Sequence, residues 1–268
     1  IIGRLAFLTL VMIAFYIILR VGLIILGLLF KKSESPHLLD GMHRATKYKM
    51  ISQNPNDLDS EPVYRSDNEN KGTEYTWSVW LFIETVPEDG TIHVFNKGSN
   101  TSETQSGEYK DSNGPGLYIN TISDGTNGKD ISLEVLVDGH GTQSTGSVNN
   151  VEIQHITLNK WINVIIRAEH KTIDIFVNGI LLRREILTDV IQQNYGDVHI
   201  SSELGTSPFR KGFEGNISNL WYYNKAIGTT EILNIVNNGP NLTTLGDINL
   251  SSKPSYFSTS WYTASFNE

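Results

Sequence analysis

Seven histidines (37, 43, 93, 140, 155, 170 and 199) and no cysteine carry the metal-binding capacity of this 268-residue chain. The histidines stand singly, with no H-x-H or H-x-x-x-H on one element, so no zinc site is expected. Without cysteine, thiolate sites and disulfides are excluded. Hydrolysis by paired carboxylates needs two of them on one face about 5 Å apart. Glu152 is alone in "NVEIQH", Glu169 and Asp174 do not fall on one strand face, and Glu84, Glu88 and Asp89 read as a loop. G-x-S-x-G, Walker and dinucleotide-binding patterns are also missing. The expected sets of catalytic and metal-binding residues are therefore empty.

The elements that would position any site are short strands. "TWSVWLFIE" alternates, with Trp77, Val79, Leu81 and Ile83 on one face and Ser78, Trp80 and Phe82 on the other, as in a strand covered on both sides. Nine or ten strands separated by Gly, Asn or Asp imply an antiparallel β-sandwich. Asn178-Gly179 predicts a two-residue type I′ turn, because both central positions need positive φ and this pair tolerates it best. Trp77, Trp80, Trp161 and Trp221 are expected to pack in the core. Helical periodicity appears only in "GTTEILNIVNNG", where Thr229 or Thr230 can cap the helix.

Ahead of the strands lies a different texture. From Leu5 to Phe30 one charge, Arg20, interrupts the apolar run, and a helix rising about 1.5 Å per residue would exceed the roughly 30 Å of bilayer hydrocarbon. Residues 1–32 are read as a transmembrane anchor; the run is too long for a signal-peptide core and lacks a small-x-small cleavage site. Arg20 would sit deep unless it snorkels or meets a carboxylate on another helix, while Lys31 and Lys32 mark the headgroup level. Residues 1–49 carry a balance of +5, which leaves −13 of the total −8 for residues 50–268. An acidic domain repels nucleic acid, whereas basic charge beside the anchor is drawn to anionic lipid. The Lys/Arg excess after the span places the domain on the cytosolic side. Residues 33–62, with Pro36, Pro55 and Pro62 and no sustained period, are expected to form a polar linker arm.

The succession "TWSVWLFIE", "VFNKGS", "NKWINVIIRAEHKTIDIFVNGILL" and "GFEGNISNLWYYNKAIGTTEILNIVNNGP" resembles the laminin-G-like, concanavalin A-like lectin/glucanase superfamily. Its marks are the V-N-G hairpin at Asn178 and Gly179 and the F-x-G-x-I strand carrying Phe213, Gly215 and Trp221, with Trp80 and Trp161 on the preceding strands. The resemblance covers residues 63–240 and implies an all-β, antiparallel jelly-roll sandwich with one short helix near its end. The glucanase branch uses an E-x-D-x-x-E-type strand, which this chain lacks. Calcium is bound in parts of the superfamily, and "YKDSNGPG" (109–116) and "SDGTNGKD" (123–130) offer suitable oxygens; both also read as ordinary polar turns, and no cofactor is expected. Lectin-type sugar binding would use an exposed aromatic with Asp or Asn at the rim of the sandwich. The segment from Ser35 to Leu81 is similar to membrane-anchored proteins of large DNA viruses of algae and protists.

Residues 241–268 form an aromatic, Ser/Thr-rich tail in which Trp261, Tyr262 and Phe266 are candidate partner contacts. The expectation is a non-enzymatic, single-pass membrane protein whose sandwich makes protein contacts. In the viral setting it would be a minor capsid component lying between an internal membrane and the capsid shell. The alternative is a membrane-anchored lectin. Expected partners are the bilayer, virion proteins and, in the alternative, glycans; nucleic acid is not among them.

Overall fold

The computed structural model describes residues 2–29, 33–57, 59–66, 72–87, 92–98, 112–123, 129–140, 147–201 and 212–244. The chain divides into two units, Ile1–Glu34 and Ser35–Glu268. The first is a single helix, α1 (Ile2–Leu29), and its Ile2–Gly27 portion is long and apolar enough to cross a membrane. Within it the Arg20 guanidinium lies 5.5 Å from the centre of the Tyr16 ring and donates to the Tyr16 hydroxyl at 2.9 Å. The guanidinium thus has a partner one turn away on its own helix.

The second unit is a two-sheet antiparallel sandwich. Its strands are β1 (His37–Arg44), β2 (Lys49–Ile51), β3 (Glu74–Thr85), β4 (Ile92–Gly98), β5 (Gly116–Ser123), β6 (Lys129–Gly139), β7 (Ser147–Ile153), β8 (Trp161–Glu169), β9 (Thr172–Val177), β10 (Ile180–Ile186), β11 (Asp197–Ile200) and β12 (Glu214–Tyr223), followed by helix α2 (Thr229–Asn238). One sheet runs β1-β12-β3-β8-β9-β10 and the other β2-β11-β4-β5-β6-β7. Between them lies the core, with Trp77, Val79, Leu81 and Ile83 of β3 among its buried side chains. Alternation puts these four on the inner face, and β12 and β8 flank β3 on either side.

Two expectations need correcting. Residues 33–62 are not a linker arm: β1 pairs with β12 at the edge of one sheet and β2 pairs with β11 at the edge of the other. An edge strand needs only one apolar row and one hydrogen-bonded side, so Leu38, Leu39 and Ile51 suffice, too few to show a period. Of the basic residues there, Arg44 lies 3.5 Å from Glu214 of β12 as an exposed pair. At α2 the N-cap is Gly228, not a threonine. Its backbone N–H donates to Glu231 at 3.0 Å, and Lys225 also bonds Glu231, so the acid three residues on replaces a hydroxyl cap. Ile232 then packs on Ile165 and Ile227, covering part of the outer face of the first sheet.

The β9–β10 connection has φ of 51° at Asn178 and 81° at Gly179, with Val177 paired to Ile180. Asn178 also ties the hairpin to β8: its Oδ1 accepts from the Asn163 N–H at 2.9 Å, and its own N–H donates to the Asn163 carbonyl.

Candidate functional site

The site begins with an irregularity in β12. Ser218 pairs with Trp80 and Trp221 with Ser78, so two residues, Asn219 and Leu220, oppose the single Val79 of β3. This is a β-bulge, and Asn219 takes φ 49° to make it. Because alternation has period 2, one extra residue exchanges the faces of everything beyond it. Ile217 and Leu220 therefore both enter the core, as does Tyr222, while Trp221 and Tyr223 turn to the outer face. Unbroken alternation from Ile217 would have buried Trp221.

On that outer face a groove of about 290 Å³ runs between β1, β12 and α2, at the low end of the range for small-molecule sites. The imidazole of His37 stacks on Trp221 at 3.9 Å between ring centres and 9° from parallel, and Trp221 continues to Tyr223 at 5.9 Å and 16°. Trp80 contributes a third aromatic wall, and Asn219, Asn238 and Asn241 supply amides. Ser218 Oγ donates to the Asn241 carbonyl at 2.7 Å and Asn241 Nδ2 to Asp40 at 2.8 Å, which fixes the chain after α2 as the groove's edge. Burial lowers the pKa of His37 against the opposing pull of Asp40 and Asn219. Burial, aided by Glu231, raises that of Tyr223. Apart from the Asp40 carboxylate at its rim, the described lining is a surface of aromatic faces and amide dipoles suited to a ligand with both C–H faces and hydroxyl groups.

The residues singled out from sequence are dispersed. Trp80 is buried as expected, 6% exposed, beneath the groove on the outer face of the first sheet, whereas Trp221 lines the groove and Trp161 is half-exposed, packed on Phe82 at 5.5 Å. The correction has one cause: β3 and β12 carry aromatic side chains on both faces, and the two-sided pattern does not say which face meets the other sheet. Phe213 is fully buried in the core. Gly215, at φ 149°, leaves no room for a side chain, since a Cβ there would lie 2.0 Å from the Phe82 carbonyl oxygen. Lys31, Lys32, Trp261, Tyr262 and Phe266 lie outside the described residues. Sequence reasoning missed His37, Asn219, Tyr223, Asn238 and Asn241. The available signal was "SNLWYYN", where apolar and polar residues fall out of alternation.

The carboxylates serve other ends. Asp174, 1% exposed, is held by Arg167 at 2.8 Å and by both Nε and Nη2 of Arg184, and Arg167 also bonds Glu169 at 2.6 Å. Burial would raise the Asp174 pKa, but the hydrogen bonds and charges of Arg184 and Arg167 outweigh it and hold the carboxyl below its usual range. Glu74, Glu169 and His170 bring one ligand atom each within 4.8 Å of one another and could hold a cation, although one oxygen of Glu169 is already taken by Arg167. In the two loops considered for calcium, the described groups are engaged. Asn113 Oδ1 accepts from the Tyr118 hydroxyl, and Asp130 meets His155 at 2.9 Å.

Residues 59–233 match the family Laminin_G_3, concanavalin A-like lectin/glucanases superfamily. No curated protein matches the chain. Among solved structures, the receptor binding domain of botulinum neurotoxin D aligns at 12% identity and a TM-score of 0.47, over 76% of this chain and 48% of that one. The binding domain of botulinum neurotoxin serotype D/C VPI 5993 aligns at 13% and 0.48, over 76% and 46%. A Trypanosoma rangeli sialidase mutant displaying trans-sialidase activity aligns at 15% and 0.40, over 60% and 22%. The chain spans less than half the length of each of these structures.

Proposed function

The chain belongs to the concanavalin A-like lectin/glucanases superfamily, and from that premise we propose that it is a non-enzymatic, membrane-tethered binding protein that takes a neutral glycan in the groove of His37, Trp80, Trp221 and Tyr223. The observation that carries this reading is the bulge at Asn219, which turns two aromatic side chains out of the core and onto a wall studded with amides. A stacked sugar ring presents C–H groups to Trp221 and hydroxyls to the asparagines. Among the described residues no pair of carboxylates lines the groove, and Asp40 beside it is engaged by Asn241 at 2.8 Å, which supports binding without hydrolysis; binding of this kind needs no cofactor. Helix α1 supplies the tether: extraction with alkaline carbonate is expected to leave the chain in the membrane pellet. The glycan reading is tested by titrating the detergent-solubilised full chain with neutral oligosaccharides. Saturable binding is expected, and Trp221→Ala should weaken it about tenfold, the scale of one lost stacking contact in a desolvated site. Equal binding by the variant, or none by the parent, removes the proposal.

A second reading, contact with protein, is favoured by a separate observation. β10 is an edge strand of the first sheet and leaves Ile180, Leu181, Leu182 and Ile186 exposed. Edges of that kind pair with other chains unless guarded. In the viral setting that the resemblance implies, the partner would be a capsid protein, with the domain between internal membrane and shell. Protection of the domain from protease in intact particles, lost once the shell is opened, is the expected result there. Digestion in intact particles would count against it.

A further inference from the structure

At one end of the sandwich, between the sheets, lies a second cavity that the groove does not reach. Its floor is formed by Tyr75 and Trp77 from the inner face of β3 and by Lys97 from β4; its walls are the chain at Val63–Arg65 and at Gln193–Tyr195. The space amounts to about 30 Å³, where one water needs roughly 10–15 Å³.

Its polar groups are not satisfied by the protein. The Tyr75 hydroxyl, Trp77 Nε1 and Gln193 Oε1 are all buried without a hydrogen-bond partner, and the first two belong to residues 1% exposed. Leaving such atoms dry forfeits their hydration without return, so they point to an occupant. Lys97 is 3% exposed. It donates to the carbonyls of Asn194, at 3.3 Å, and Gly196, which uses two of the three N–H groups of an ammonium. Asp197 attracts it, but no ion pair with a described carboxylate neutralises it. The floor therefore presents an N–H from Trp77, an O–H from Tyr75 and the remaining N–H of an ammonium that Asp197 attracts without a contact ion pair, a donor set that suits an acceptor-only anion. One acceptor, Gln193 Oε1, asks in addition for a hydroxyl donor beside that anion.

The mouth has a different character. Tyr195 is 86% exposed and Tyr64 is also exposed, with the exposed Arg65 next in sequence. Tyr64 is held in place through its carbonyl, which accepts from the Tyr222 hydroxyl at 2.7 Å. The domain as a whole is acidic and would repel anions at long range, so local design is required to hold one here.

We propose that this cavity is a carboxylate-binding subsite for an acidic sugar: the carboxylate enters between Lys97, Trp77 and Tyr75, an adjacent hydroxyl donates to Gln193, and the ring rests against Tyr64 and Tyr195 with Arg65 at its side. A ring with a carboxylate and neighbouring hydroxyls satisfies the floor and the mouth together. A plain carboxylate satisfies only the floor, and a neutral sugar only the mouth.

The test titrates the detergent-solubilised full chain carrying Trp221→Ala, which weakens the separate neutral-sugar groove, with D-glucuronate, D-glucose, acetate and a short peptide with a free C-terminus. Glucuronate should bind saturably, and glucose and acetate about tenfold more weakly or worse, since each lacks half of the recognition. Tyr195→Ala, a surface change that does not threaten folding, should weaken glucuronate about tenfold. Lys97→Met should abolish binding; if that variant does not fold, Arg65→Ala, also at the surface, is expected to weaken glucuronate while leaving glucose unchanged. Three results would overturn the proposal: no saturable binding of glucuronate, as when the cavity holds water alone; equal binding of glucose; or preference for the peptide.

Discussion

Ile217 and Leu220 stand three residues apart on β12, and both point into the core. A regular strand cannot do this, and the residue that permits it is Asn219, whose positive φ a β-branched residue tolerates poorly. Asn219→Val should therefore cost about 1–3 kcal/mol and also weaken neutral-glycan binding, because the bulge aims Trp221 at His37. Asn219→Gly should keep the stability and the aim of Trp221, and lose binding only to the extent of one amide contact. Urea unfolding together with the glycan titration checks the pair; stability and binding equal to the parent in the valine variant would mean the bulge is not what orients Trp221.

Lys97 sets a pH window. Burial, with Asp197 opposing, pushes its ammonium down from 10.5 to about 8. Between those values the unfolded chain holds a proton that the folded chain has lost, so stability rises with pH from about 8 upward. The charged and titratable groups around it are Asp197, Arg65, Tyr75 and Tyr222. Burial pushes both phenols up, that of Tyr75 with help from Tyr222 and Asp138. Above about pH 10 the folded phenols keep protons that the unfolded ones release, and the gain reverses. Unfolding midpoints should peak near pH 10, and Lys97→Met should flatten the rise. Saturating glucuronate should flatten it too, by supplying the missing anion.

The buried carboxylate of Asp174 bridges two arginines, and removing its charge would leave the mostly buried guanidinium of Arg167 with the exposed Glu169 as its remaining partner. Asp174→Asn should destabilise by about 3 kcal/mol. Arg184 approaches from solvent, so Arg184→Ala should cost much less. A chemical denaturation series on the two variants orders them, and the reverse order would refute this account of the network.

Gly179 offers a check on the hairpin. A Cβ there would meet Val236 at an ordinary 3.4 Å, so space is not the obstacle; the φ of 81° is. Gly179→Val should cost more than about 1 kcal/mol, while Gly179→Asn, which visits the left-handed region more readily, should cost less. A thermal melt unchanged by the valine would show that the turn relaxes.

What the sequence determined by itself is what local chemistry decides. Asn178-Gly179 sets a turn because two adjacent residues must take positive φ, and no distant contact is needed to select them. The alternation around Val79 marks a strand covered on both faces, and the apolar run from Leu5 to Leu29 makes a helix of spanning length. The order of motifs from Trp77 to the helix after Ile227 is enough to place the chain in its superfamily. The rest depended on contacts between segments far apart in the chain. β1 and β2 have too few apolar residues to announce themselves and become strands only because β12 and β11 offer them free edges. Trp221 reads as core in any regular strand, and it reached the surface because Asn219 and Leu220 face a single residue of β3. Lys97 looks like any solvated lysine in "VFNKGS"; it is buried because residues 63–65 and 193–195, about thirty and a hundred positions away, close over it. Faces follow from register, and burial follows from which remote segments meet. Both are settled by tertiary packing, in which side chains compete for a single core.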